Sequence, residues 1–246
     1  MKKILTAALF AGTFLSPALA ADLGRPVYKA PIAVVEPVTN WNGFYIGAHG
    51  GGAWGDSDWL FPLAAITTNH RIRGGFGGGQ IGYNWQFSPM WLVGIEGEGS
   101  WGSLTGSSVC PNPAANCTSK TDWMASITGR LGYVAGNALF YFKGGYSWAN
   151  EIHHVRFPAT PADDETSGNL RRSGYTIGGG LEYAFAPQWS AKIEYMYTDY
   201  GRRTFDFTRI NTGAFVETAR VDTSIHTVKA GINYRFNWGA PVVASY

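Results

Sequence analysis

From Trp41 onward the chain alternates. Rings and aliphatic side chains recur at every second position and small or charged residues fill the gaps, as in Ile81-Gly82-Tyr83-Asn84-Trp85. That period of two predicts strands, whereas an amphipathic helix would repeat near 3.6. Such runs fall near 42–54, 75–86, 91–101, 122–134, 138–148, 174–185, 189–199 and 223–236. The form aliphatic-x-Tyr returns at Ile81-Gly82-Tyr83, Leu131-Gly132-Tyr133, Leu181-Glu182-Tyr183 and Ile232-Asn233-Tyr234, spaced by 50, 50 and 51 residues. The first three are each followed by a turn-forming break (Phe87-Ser88-Pro89, Ala135-Gly136-Asn137 and Ala186-Pro187-Gln188) and a fresh run, so each unit reads as a hairpin. The other connections, near 55–74, 102–121, 149–173 and 200–222, are long and rich in Gly, Pro, Asn, Asp and Thr. Tight turns at one end and four long loops at the other predict an all-β, eight-stranded antiparallel up-and-down barrel that crosses a membrane.

Splitting the runs by parity defines two faces. One carries Phe44, Ile46, Ile81, Tyr83, Trp85, Trp91, Val93, Ile95, Ile127, Leu131, Tyr133, Phe140 and Phe142, and continues to Ile232, Tyr234 and Phe236. The other carries Glu96, Glu98, Arg130, Lys143, Glu182, Lys192, Glu194, Lys229 and Arg235, interspersed with Gly47, Gly82, Gly94, Ser126, Thr128, Gly132, Gly178 and Gly180. A soluble barrel would turn the rings inward and a membrane barrel outward. The interior of an eight-stranded barrel is only just wide enough for side chains to fill. So many rings are therefore expected on the lipid side, with the nine charges inside as a salt-bridge network that fills the lumen. A Lys or Arg facing lipid at the midplane would cost roughly 2–4 kcal/mol.

Composition agrees. Charged residues make up 15% of the chain, aromatics another 15%, and there are 33 glycines. No apolar run outside the N-terminus approaches the length of a membrane helix. Lys2-Lys3, the apolar run from Ile4 to Leu15 and Ala18-Leu19-Ala20 read as an export leader over 1–20. Of 19 basic and 17 acidic residues, loss of Lys2 and Lys3 leaves 17 of each, and no basic patch points to nucleic acid. Residues 21–40, with three prolines and no clean alternation, read as a periplasmic lead-in, 41–236 as the barrel and 237–246 as a C-terminal tail.

Several elements resemble the RopB-like major outer-membrane proteins of alphaproteobacteria, within the OmpA-like small-barrel group. They are Trp41-Asn42-Gly43-Phe44-Tyr45-Ile46-Gly47, Gly129-Arg130-Leu131-Gly132-Tyr133, Gly178-Gly179-Gly180-Leu181-Glu182-Tyr183-Ala184-Phe185, Lys192-Ile193-Glu194-Tyr195-Met196-Tyr197 and Lys229-Ala230-Gly231-Ile232-Asn233-Tyr234-Arg235-Phe236. The resemblance implies an abundant, non-enzymatic envelope protein in the outer membrane of a Gram-negative bacterium. It also implies a terminal aromatic read by the barrel assembly machinery, for which Phe236 and Tyr246 are both candidates.

Cys110 and Cys117, the only cysteines, share one predicted loop, and export favours a local disulfide. Gly77 to Gly82 matches G-x-G-x-x-G, but strands and turns follow instead of a helix, so a nucleotide site is excluded. Glu96 and Glu98 point the same way, as paired catalytic carboxylates would, yet interior charge needs neutralising in any such barrel. His153-His154 falls in a predicted surface loop and is a candidate ligand pair for a metal or haem; related proteins are associated with haem binding. No resident cofactor is expected. The leading expectation is a structural role in envelope integrity and surface interaction. Expected partners are outer-membrane lipid and lipopolysaccharide, the assembly machinery, and cell wall or host surfaces. The alternatives are a small porin, a haem-binding surface protein and a lipid-A-modifying barrel enzyme drawing on His153, His154 or His226.

Overall fold

The computed structural model describes residues 39–62, 66–110, 112–161 and 164–236. The predicted leader, all but the last two residues of the lead-in, and the tail with Tyr246 lie outside them. Eight strands among the described residues close into one barrel: β1 (Gly43–Phe61), β2 (Ile66–Ser88), β3 (Trp91–Val109), β4 (Asn116–Ala135), β5 (Ala138–Arg156), β6 (Glu165–Ala184), β7 (Trp189–Arg209) and β8 (Phe215–Phe236). Every neighbour is antiparallel, and β1 pairs with β8 to leave no free edge around the ring. One end is joined by tight turns at 89–90, 136–137 and 185–188. Gly136 there has φ +61°, the left-handed conformation a two-residue hairpin turn asks for.

The expected long loops are not loops. The connections at the far end span only 62–65, 110–115, 157–164 and 210–214, and most of 55–74, 102–121, 149–173 and 200–222 is strand. The cause is a reversal of polarity along each strand. In the lower half, rings face out and charges face in. In the upper half the alternation continues, shifted by bulges on β4, β6 and β7, but apolar side chains turn inward: Trp59, Phe61, Val155, Phe205, Phe207 and Val221 pack with the Cys110–Cys117 disulfide. Asp56, Asp58, Arg71, Arg73, Asp206 and Arg220 face out. With water outside, this half is an ordinary inside-apolar barrel, and burying each large ring contributes about 1.5–3 kcal/mol.

The reversal locates the bilayer. Outward rings form a lower girdle at Phe44, Trp91, Tyr133, Phe140, Tyr183 and Trp189, and an upper one at Trp54, Trp101, Trp123, Trp148, Tyr175 and Tyr197, with His226 beside Trp54. On β1, β3, β4, β5, β6 and β7 the stretch from lower to upper ring is nine or eleven residues counted inclusively, the length a tilted strand needs to cross the hydrocarbon core. Strands of 19–23 residues therefore carry roughly half their length beyond it.

One ladder is interrupted. β6 and β7 pair at Glu165↔Arg209 and Thr166↔Thr208, and again from Tyr175↔Asp199 downward, with no pairing between. Both strands bulge there, and Gly168 and Gly201 take positive φ. Arg172 spans the opening from β6, donating to the Tyr200 and Gly201 carbonyls of β7 and the Val221 carbonyl and Thr223 hydroxyl of β8.

A charged lumen as candidate functional site

Alternation on six strands, β3 to β8, delivers eight of the nine expected charges to one level of the barrel. Glu96 on β3 is central. Its Oε1 lies 2.5 Å from Lys143 Nζ and 3.3 Å from Lys192 Nζ. Its Oε2 accepts a 2.7 Å bond from Tyr45 Oη and lies 3.7 Å from Arg130 Nη1. Glu194 meets Lys143 at 3.1 Å and Lys229 at 2.9 Å, and accepts from Tyr141 Oη at 2.8 Å. Glu98 meets Lys229 at 2.5 Å, and Glu182 meets Arg130 at 3.0 Å. Ser190 and Asn233 donate to the other Glu182 oxygen. Four carboxylates and four cations thus balance. Arg130 and Lys143 sit directly opposite each other on β4 and β5, a like-charge pair tolerable only because both reach across the lumen to acids.

Arg235, placed in this network by the sequence reading, is not in it. It lies near the short-turn end, over the Trp41 ring at 4.4 Å, and donates to the carbonyls of Asn40, Ala186 and Pro187. Its parity was right, but its level on the strand is too low to reach a carboxylate. The expectation that rings stay out of the lumen also fails, both in the apolar layers and at the level of the charges. Tyr45 and Tyr141 lie inside because the facing glycines leave room. A Cβ on Gly82 would stand 2.4 Å from the Tyr45 ring, and one on Gly180 would stand 2.7 Å from Tyr141 Oη.

Below the charges, Trp41, Leu92, Val134, Leu139, Tyr141 and Ala184 form an apolar layer. Above them, Ile72, Phe76, Leu104, Tyr200 and Ile225 form another. A cavity of about 30 Å³ between, lined by Glu98, Ser100, Ser126, Ser147, Tyr200 and Lys229 among others, has room for little more than a water molecule. The carboxylates of Glu96, Glu98 and Glu194 approach within 4.8 Å of one another, as metal ligands would. Lys143 bonds all three, so ammonium groups already supply the positive charge there.

His153 and His154 do not form a surface pair. Both are in β5 and point to opposite faces. His153 is 0% exposed, with Trp59 edge-on at 5.2 Å, while His154 faces outward. His153 belongs to a polar cluster that the sequence reading missed by assigning this stretch to a loop. Ser119 Oγ lies 2.9 Å from His153 Nδ1, and His153 Nε2 lies 3.4 Å from Glu151 Oε2, which accepts from Arg172 at 3.0 Å. The visible signal was that Ala149, Glu151, His153 and Val155 continue the inward parity of Ser147. Burial disfavours the Glu151 carboxylate, yet His153 and the Arg172 guanidinium outweigh it and hold its pKa below the usual range. Hydroxyl, imidazole and carboxylate here follow the order of a nucleophilic triad. Ser119 is 1% exposed and His153, its imidazole partner, is 0% exposed, so the pair is closed off from solvent. His226 faces outward, stacked on Trp54 and hydrogen-bonded to Tyr195, with no carboxylate among its described contacts.

A closed antiparallel ring, an apolar belt between two aromatic girdles and a charged interior define a transmembrane β-barrel of the kind that bacterial outer membranes hold. The chain belongs to the outer membrane protein beta-barrel domain family, whose pattern matches residues 6–236. It is similar to the 31 kDa outer-membrane immunogenic protein of Brucella melitensis, at 32% identity over 96% of this chain and 100% of that protein. It is also similar to the 22 kDa outer membrane protein of Rhizobium leguminosarum, at 30% identity over 83% of this chain and 82% of that one. Among solved structures it is similar to OprG from Pseudomonas aeruginosa, with a TM-score of 0.47 and 10% identity over 79% of this chain and 98% of that one. The protein is thus an outer-membrane barrel of a Gram-negative bacterium, in an alphaproteobacterial family as the resemblance implied.

Proposed function

We propose that this protein is a sealed, non-enzymatic barrel that contributes to envelope integrity and presents a rigid β-structured surface outside the cell. The observation that carries this reading is the filled lumen: an apolar layer at the short-turn end, eight mutually neutralised charges, and a second apolar layer beneath the Arg172–Glu151 pair. Opening a path would separate buried ions from their partners, at about 3–5 kcal/mol for each pair broken. The long strand extensions favour a surface role, because they project apolar-cored, polar-faced wall beyond the outer girdle. Planar-bilayer recording on the purified protein tests the proposal. No steady conductance is expected, and regular single-channel steps in the wild-type protein would replace it with the porin reading.

A further inference from the structure

The upper aromatic girdle has one gap. On seven strands the outward position at its level holds a ring. On β2 the outward position paired with Trp54 of β1 is Arg73 and the one paired with Trp101 of β3 is Gly77, so no ring stands there; Trp54 in turn stands opposite His226 on β8. One step further out, Arg71 stands opposite Asp56. Trp54, Gly55, Asp56, Arg71 and Arg73 line a cleft of about 400 Å³ on the outer wall, within the size range of small-molecule sites. Both arginines are exposed, and neither guanidinium has a hydrogen-bond or ion-pair partner among the described residues. The Trp54 indole is stacked on His226, with the planes 11° apart, and is thereby held as a fixed platform.

This cleft sits where hydrocarbon gives way to head groups. Two guanidiniums beside a rigid ring match an anionic sugar: the guanidiniums pair with phosphate or carboxylate oxygens, and the ring packs against the saccharide. Directly below, the lipid face of the same two strands carries Gly52 opposite Gly75 and Gly50 opposite Gly77. A Cβ at any of the four would meet nothing nearer than 3.6 Å, so the barrel's own packing does not call for glycine there. Acyl chains hanging from a head group in the cleft would lie against bare backbone.

We propose that the Arg71–Arg73–Trp54 cleft is a binding site for the anionic saccharide head group of an outer-leaflet lipopolysaccharide. The cleft lies on the outer wall, so its test is independent of whether the lumen conducts. Full-length protein in detergent is titrated with rough lipopolysaccharide, phosphatidylglycerol and phosphatidylcholine and followed by microscale thermophoresis. Lipopolysaccharide should bind about tenfold or more tighter than phosphatidylglycerol, and phosphatidylcholine should not saturate. Arg71→Gln with Arg73→Gln should cost lipopolysaccharide about tenfold or more, whereas Arg203→Gln with Arg220→Gln, exposed arginines elsewhere on the extension, should cost nothing. Trp54→Ala should bring lipopolysaccharide down to the phosphatidylglycerol value. Heat-modifiable gel mobility verifies that each variant is folded. Equal affinity for the two anionic lipids would overturn the proposal, because the cleft would then read charge without sugar. So would undiminished lipopolysaccharide binding by the Arg71→Gln/Arg73→Gln protein, or a stable dimer through the glycine face that excludes lipid.

Discussion

Replacing Lys143 by Met is the sharpest perturbation of the lumen. Lys143 Nζ lies 2.5 Å from Glu96, 3.1 Å from Glu194 and 3.4 Å from Glu98. The methionine keeps the volume of the stem and removes the charge, leaving four buried carboxylates against three cations. Breaking a buried ion pair from one side costs about 3–5 kcal/mol, because the surviving charge stays desolvated. At 1.4 kcal/mol per tenfold this is a change of about two to three and a half orders of magnitude in the unfolding equilibrium. Glu96→Gln alone should cost a comparable amount, since it strands Lys143, Lys192 and Arg130 with too little negative charge. The double variant restores three against three, so its loss should fall short of the sum of the singles by about 2 kcal/mol or more. Urea titrations of protein folded in lipid vesicles, read by gel mobility and tryptophan emission, supply all four stabilities. A Lys143→Met protein within about 0.5 kcal/mol of wild type, or strict additivity in the double variant, would refute the claim that these charges neutralise one another.

Three further outcomes follow from the upper half. Amide exchange should be faster at 167–174 and 200–207, where the β6–β7 ladder is missing, than at 54–60 and 67–73, where β1 and β2 pair throughout at a similar height; uniform protection would show the ladder to be closed. Replacing Cys110 and Cys117 with Ser removes a link across a sequence separation of 7 and should cost the extension about 2–3 kcal/mol, seen as earlier proteolytic cleavage near 110–117 with an unchanged membrane-embedded core. The Glu151 carboxyl is held below its ordinary range, so its contribution is present above the unfolded-state pKa near 4.3 and is lost as pH falls through the lower folded value. Exchange in the extension should therefore be governed by this group only below about pH 4.5, and Glu151→Gln should remove that acid-dependent part; a wild-type transition near pH 6 with no acid limb would contradict the assignment.

The membrane-embedded half was legible because lipid enforces contrast. Ile81, Tyr83 and Trp85 stand against Gly82 and Asn84, and only one assignment of faces satisfies an eight-stranded interior. The inward set was legible for the same reason, and the local disulfide followed from export and short spacing. The upper half was not, because its contrast has the opposite sign and is weaker. Between Asp199 and Phe207 the β7 pattern passes through a bulge at Gly201, after which Phe205 and Phe207 point inward on the opposite parity to Met196 and Tyr200, so the run reads as turn chemistry. Glu151, His153 and Arg172 were hidden with it. Arg235 shows a further limit: parity assigns a face, but the height at which a side chain meets its neighbours depends on the stagger between strands. Tyr45 and Tyr141 show the converse, since whether a ring fits a narrow lumen depends on the glycine that happens to face it from the next strand.

The reversal of polarity at the upper girdle sets which part of the barrel meets lipid, and single-tryptophan proteins test it most directly. Variants retaining only Trp148 or only Trp59 are folded into bilayers whose acyl chains are brominated. Trp148, outward at the girdle, should be strongly quenched, and Trp59, inward on the extension, should keep its emission. Quenching of Trp59 to the same degree as Trp148 would place hydrocarbon around the upper barrel and contradict the account.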